Sequence, residues 1–256
     1  MAKRNSAAAR AAQAQARELH EREARRHRRR RALIQTSIVG AAGLAVAGIV
    51  VSVVLGAQAA GEVAQPKGTP GATVASLGDA PLTIGDASVR LGAADAPVTL
   101  SLYEDFSCPH CKEYESAVGP VLDELVAAGD VAVEYHPIQF VTNYGIRAGS
   151  AATCVAEGDP ERWPDVHASL FAIHDSATDG WGNDQLRDHL AGLGVSDPGV
   201  LECVADGRYE KWIDANTDVA RDAGVEGTPT LMINGEIVDT LGPEELRSTV
   251  DRLRAE

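Results

Sequence analysis

Apolar and polar positions divide the chain into stretches of different character. No charged residue occurs between Arg31 and Glu62, and residues 32–55 are 24 mostly apolar positions. That run is long enough for a membrane-spanning helix, which needs about 20 residues. Residues 56–80 are rich in Gly, Ala, Pro and Thr, a composition that predicts a flexible tether. Leu82-Thr83-Ile84 and Val89-Arg90-Leu91 flank Gly85-Asp86 as short extended pieces.

Beyond them the pattern sharpens. Val98-Thr99-Leu100-Ser101-Leu102-Tyr103 predicts a buried strand. Tyr114, Val118, Val121, Leu122 and Leu125 keep one face apolar, so residues 112–128 predict a helix, with a kink at Gly119-Pro120. Val131-Ala132-Val133-Glu134-Tyr135 alternates and predicts a second strand. Strand, helix and strand in this order imply a right-handed parallel unit.

Residues 146–207 carry a helical pattern, broken at Gly158-Asp159-Pro160, at Gly180 to Asn183 and at Ser196 to Gly199. They read as a helical block, about 145–207, inserted in an α/β scaffold. Residues 209–223 predict a further helix stopped by Gly224. Thr230 to Ile233, Asn234-Gly235 and Glu236 to Val238 read as a hairpin. Pro243-Glu244-Glu245 opens a last helix reaching Arg254, with the proline and acids that helix starts favour.

Charge adds a direction to this pattern. The 256 residues carry a net −14 overall, yet residues 1–31 hold 11 basic and 3 acidic side chains. A basic head before an apolar run keeps the head in the cytoplasm and sends the remainder across the membrane. Residues 1–31 thus read as a basic cytoplasmic segment, and 32–55 as a single-pass signal anchor. Ala57-Gln58-Ala59 has the look of a cleavage site, but a cleaved apolar region spans only about 7–15 residues. Either way, the part beyond residue 60 is extracytoplasmic. It is strongly acidic, which argues against nucleic acid as a partner.

The candidate chemistry lies in Cys108-Pro109-His110-Cys111, where the first strand turns into the first helix. Free N–H groups at a helix start favour a thiolate over a thiol, making the first sulfur a nucleophile and leaving group near neutral pH. A zinc site would need a second ligand pair. Cys154 and Cys203 stand apart from any such pair, so neither a metal nor a cofactor is expected. Those two cysteines read as a structural disulfide tying the first helix of the block to its last, with a second redox pair or two free thiols as alternatives. His136, His167 and His174 read as packing or surface histidines.

Tyr103-Glu104-Asp105-Phe106-Ser107-Cys108-Pro109-His110-Cys111, the helical block, and Gly227-Thr228-Pro229-Thr230 before the hairpin together resemble the DsbA-like thiol:disulfide oxidoreductases of the thioredoxin superfamily. The resemblance spans residues 81–254, within a domain read as 81–256. It is nearest to the membrane-anchored forms of bacteria such as the actinobacteria. It implies an α/β thioredoxin fold, with a mixed central sheet flanked by helices, an inserted helical domain and one N-terminal transmembrane helix. It also implies a cis bond at Thr228-Pro229, beside the cysteine pair, where an extended substrate adds strand hydrogen bonds. Cys108 would be the nucleophile and Cys111 the resolving thiol. Pro109 suits the helix start, and the His110 imidazole would support the Cys108 thiolate.

Its substrates would be unfolded or reduced exported proteins, into which it introduces disulfides. Reoxidation would come from a membrane quinone-linked partner of the DsbB or VKOR type. A reductase or isomerase using the same residues, or a chaperone-like peptide-binding module, are the alternatives. The family often keeps a buried acid six positions before the first cysteine. Here that position is Leu102, leaving Glu104 or Asp105 as the residue that tunes the pair.

Overall fold

The computed structural model describes residues 63–255. The basic segment 1–31, the apolar span 32–55 and Ala57-Gln58-Ala59 lie outside the described residues. Among the described residues no helix is long and apolar enough to cross a membrane.

Seven strands form one sheet: β1 (Thr73–Val74), β2 (Ala80–Ile84), β3 (Val89–Leu91), β4 (Val98–Glu104), β5 (Val131–Pro137), β6 (Thr230–Ile233) and β7 (Glu236–Val238), in the order β1-β2-β3-β5-β4-β6-β7. β4 and β5 are parallel, from Val98 beside Val131 to Glu104 beside Pro137. Every other neighbouring pair is antiparallel, so the sheet is mixed. β4 is central, and all its residues except Thr99 are buried. Its sequence nonetheless alternates apolar and polar as far as Leu102, and the buried polar members are hydrogen-bonded, Ser101 to Glu134 and Glu104 to His167. Asn234 and Gly235 take φ of +50° and +86°, as a tight two-residue hairpin requires. Asn234 also clasps β4: its N–H donates to the Thr99 carbonyl at 2.8 Å, and its Oδ1 accepts from the Thr99 N–H at 2.9 Å.

Helix α1 (Pro109–Ala127) follows β4 and runs on through Pro120. Four helices fill the block after β5: α2 (Asn143–Gly158), α3 (Trp163–Ile173), α4 (Asn183–Gly192) and α5 (Pro198–Ala205). Each opens where the sequence has a breaker or cap. Thr142 accepts from the Tyr144 N–H, and Asp197 accepts from the N–H groups of Gly199 and Val200. Helices α6 (Glu210–Asp222) and α7 (Pro243–Arg254) complete the chain.

The block and the sheet share one hydrophobic core. Phe106 stacks on Phe171 with centroids 4.4 Å apart, and Tyr135 meets Trp163 edge-on at 4.9 Å. These aromatic contacts seat α3 of the block against the strand ends that carry the cysteine pair.

Residues 63–80 correct the expected 56–80 tether. Val74 is fully buried, Leu77 is 9 % exposed, and Val63 and Ala64 pack on the core. The stretch is also strapped to the block through its backbone. The Lys67 N–H donates to Glu157 Oε1 at 2.9 Å and the Ala75 N–H to Glu161 Oε2 at 2.7 Å. Carboxylates supplied from about ninety residues away satisfy a backbone whose own side chains are too small to build a core of their own.

Candidate active site

Cys108 is the N-cap of α1, with extended φ/ψ of −85° and 120°, and Pro109 takes the first helical position. Proline suits that position because its missing N–H would have no partner there in any case. Cys108 and Cys111 are both free thiols, 5 % and 2 % exposed. The first helical turn presents the N–H groups of His110 and Cys111 to the Cys108 sulfur.

Thr228-Pro229 is a cis peptide, and the Thr228 carbonyl oxygen lies 3.4 Å from Cys108 Sγ, where the thiol can donate to it. Strand β6 starts immediately after Pro229 and pairs with β4 through Thr230 beside Tyr103. Sheet pairing therefore brings together two motifs 120 residues apart.

The two sulfurs are chemically unequal. The Cys108 thiol is lowered from 9.0 to about 5, chiefly because the Cys111 S–H hydrogen-bonds to its thiolate. Burial opposes this, while the Thr228 side chain and the two helix N–H groups add to it. Cys111 is pushed far upward, first because its proton is held by the Cys108 sulfur and then by burial. This arrangement can exchange disulfides: the outer sulfur is a stable leaving thiolate and the inner one holds its proton.

The His110 imidazole is 79 % exposed, with Nδ1 3.7 Å from Glu113 Oε2. Residue 110 serves the Cys108 sulfur through its backbone N–H, and the structure turns the ring towards Glu113.

Asp105 and Glu104 both lie buried at the end of β4, with different partners. Asp105 Oδ1 accepts from the Ser107 N–H and hydroxyl at 2.8 and 2.5 Å, and Oδ2 from the N–H groups of Phe140 and Val141 at 2.7 and 2.9 Å. It thereby ties the turn before Cys108 to the loop after β5. Gly145 stands against it so closely that a Cβ there would meet Asp105 Oδ1 at 2.1 Å.

Glu104 meets His167 instead, at 2.6 Å from Nε2, and the other ring nitrogen lies 3.4 Å from Glu115 Oε1. Burial opposes protonation of His167, but Glu104 and Glu115 outweigh it and raise its pKa to about 10. Glu104 itself is raised, mainly by burial. The three residues offer ligand atoms within 4.8 Å of one another, yet His167 faces each carboxylate with a different nitrogen. The ring thus bridges the two carboxylates with one nitrogen each, as an ion-paired triad does.

Sequence reading placed Cys108, Pro109, His110, Cys111, Thr228 and Pro229; the structure sets Cys111, Thr228 and the backbone N–H of His110 against the Cys108 sulfur, opens the helix with Pro109 and puts Pro229 on the cis bond after Thr228. It treated His167 as a packing residue and did not single out Glu115. The signal for Glu115 was its place one turn after Cys111 on the same helix face. His167 gave none, because its partners lie 63 and 52 positions away in the chain. His136 and His174 do pack: the first stacks on Tyr103 at 4.3 Å, the second lies against Tyr144 at 4.6 Å. Cys154 and Cys203, both buried, are joined in a disulfide that links α2 to α5.

A thioredoxin family model matches residues 85–252. Among curated proteins, disulfide bond formation protein D of Bacillus subtilis is 24 % identical over 166 residues, which cover 63 % of this chain and 75 % of that protein. Among solved structures, reduced DsbA from Mycobacterium tuberculosis is similar with TM-score 0.59 and 26 % identity, covering 66 % of this chain and 93 % of that one. MdbA, a thiol-disulfide oxidoreductase from Corynebacterium diphtheriae, gives 0.58 and 27 %, over 68 % and 93 %. The chain belongs to the thioredoxin family and is a DsbA-like thiol:disulfide oxidoreductase.

Proposed function

We propose that this protein is a membrane-anchored oxidase that introduces disulfide bonds into exported polypeptides. The observation that carries the reading is the inequality of the two thiols, with Cys108 held down to about 5 and Cys111 held up. A depressed Cys108 stabilises the reduced pair relative to the disulfide, and a pair that prefers to be reduced oxidises others.

The cycle begins with the Cys108–Cys111 disulfide. A substrate thiolate attacks the Cys108 sulfur, the bond to Cys111 breaks, and Cys111 leaves and takes up a proton. A second substrate thiol, losing its proton, attacks the substrate sulfur of the mixed disulfide, and Cys108 departs as a thiolate. Two substrate thiols have become one disulfide, and two electrons rest on the cysteine pair. Thr228 and Pro229 flank the attacked sulfur, where an extended chain adds strand hydrogen bonds. Pro109 sets the helix start and His110 supplies its backbone N–H. A membrane quinone-linked partner of the DsbB or VKOR type would then remove the two electrons.

The acidic domain, the basic segment 1–31 and the apolar run 32–55 support an N-terminus in the cytoplasm and a catalytic domain outside it. The deciding experiment is the reduction potential of the Cys108–Cys111 pair, equilibrated in glutathione buffers, with mass mapping to separate it from Cys154 and Cys203. A value above about −180 mV places the protein among the oxidants, and one near −270 mV makes it an electron donor and overturns the reading.

A further inference from the structure

Resting on that reading, we propose that the groove beside Cys108 selects polypeptide segments that carry lysine or arginine close to the reacting cysteine. The groove holds about 540 Å³ and lies between α1, Thr228-Pro229 and the loop leading into α7. Its walls include Tyr114, Ala117, Val118 and Leu241, a surface suited to the apolar part of an extended chain. The Tyr114 hydroxyl is buried without a hydrogen-bond partner. Burial holds it protonated, its pKa raised to about 12.

His110 is the one basic group lining this groove, and the carboxylates around it are all negative. None of its lining residues is lysine or arginine, and Glu113 contributes an exposed carboxylate. Glu226 precedes Gly227-Thr228, Asp239 precedes Thr240, and Glu244 follows Pro243, and all three are exposed. The nearest basic residue in sequence, Lys112, turns away, its Nζ donating to the carbonyls of Ala172 and His174 at 2.8 Å. Beyond the rim, residues 63–256 carry 33 acidic and 12 basic side chains, a net of −21. A cationic segment therefore gains both long-range attraction and local partners at the rim, whereas an acidic one meets like charge. Complementarity of this kind acts mainly on the rate of encounter.

The test uses the oxidised full-length protein and two dithiol peptides that differ only in lysine or glutamate beside the cysteines. The readout is the second-order rate of reduction of the Cys108–Cys111 disulfide. Each rate is divided by that of the same peptide with an uncharged small disulfide, which removes the effect of the charges on the peptide's own thiols. The lysine peptide is expected to react about tenfold faster or more at low ionic strength. The ratio should fall towards one in about 1 M salt, where charges are screened beyond about 3 Å. Glu113→Lys combined with Glu226→Lys should shrink the preference at low salt. Equal rates at low salt, or a preference that survives high salt, would overturn the proposal. Should the double variant fail to fold, the wild-type pair and its salt series decide alone. The reduction potential separates the two readings: if it lies near −270 mV, the oxidase reading fails. If it lies above about −180 mV and the peptides show no preference, only the selectivity fails.

Discussion

His167 Nε2 lies 2.6 Å from Glu104 Oε1, and both side chains are 3 % exposed. The pair spans the junction between the inserted block and the central strand, since His167 belongs to α3 and Glu104 ends β4. Removing one member of a buried ion pair leaves the other charge without compensation, at a cost of about 3–5 kcal/mol. His167→Leu should therefore lower unfolding free energy by that amount in urea denaturation at neutral pH, and adding Glu104→Gln should recover part of it.

The same pair sets a pH dependence. His167 is raised from 6.5 to about 10 in the folded protein. Its contribution is complete below the unfolded value of about 6.5 and is lost as pH rises towards 10. Glu104, also raised, acts in the same direction, because the fold favours its protonated form. In the oxidised protein, where Cys108 does not titrate, the stability gap between wild type and His167→Leu should shrink across that window. A constant gap would mean that His167 is buried neutral.

Cys108 titrates with the opposite sign. Its folded value of about 5 lies below the ordinary 9.0, so its contribution is present above the unfolded value and lost as pH falls through about 5. Thiolate ultraviolet absorbance of the reduced protein should show one transition near pH 5, absent in Cys108→Ser. Denaturation of the reduced and oxidised forms should show the reduced form losing relative stability from pH 9 to pH 5.

The neighbours of Cys108 should rank in the order of their hydrogen bonds. The Cys111 thiol is the largest cause of its lowered pKa, and the Thr228 side chain contributes less. A hydrogen bond to a charged group is worth about 1.5–3 kcal/mol, or about one to two pKa units. Cys111→Ala should raise the thiolate midpoint by about that much and Thr228→Val by less. The reverse order would place the controlling donor on the strand side of the site instead of the helix side.

Cys154 and Cys203 close a 49-residue separation within the block. Replacing both by alanine should lower stability by about 2–4 kcal/mol, read from denaturant midpoints. The rate of disulfide exchange at Cys108 should be unchanged. A large loss of exchange without a loss of stability would instead make this pair an electron relay.

Much of this molecule is readable without coordinates, for reasons that are local. The alternating start of β4, the one-faced spacing of α1, and the turn at Asn234-Gly235 are each dictated by near neighbours. The breakers at Gly158-Asp159-Pro160 and Ser196 to Gly199 are equally local. Cys108 stands out because its chemistry depends on a helix start, and the helix start lies in the same nine residues. Thr228-Pro229 was legible through family resemblance, since nothing in its own composition places it beside a sulfur.

What the tertiary structure alone decided is long-range. Residues 63–80, read as a tether, are held by Glu157 and Glu161 of the helical block, 90 and 86 positions further along the chain. His110, expected to support the thiolate with its ring, turns that ring to Glu113. Asp105 and Glu104 are adjacent in sequence, and only their partners separate them: four donors from turns and loops for one, an imidazole from the inserted block for the other. A sequence pattern reports what a residue prefers, through sterics and hydropathy over a few positions. The charge and hydrogen-bonding role of a buried group depend on which distant atoms close around it, and the packing of the block against the sheet determines that.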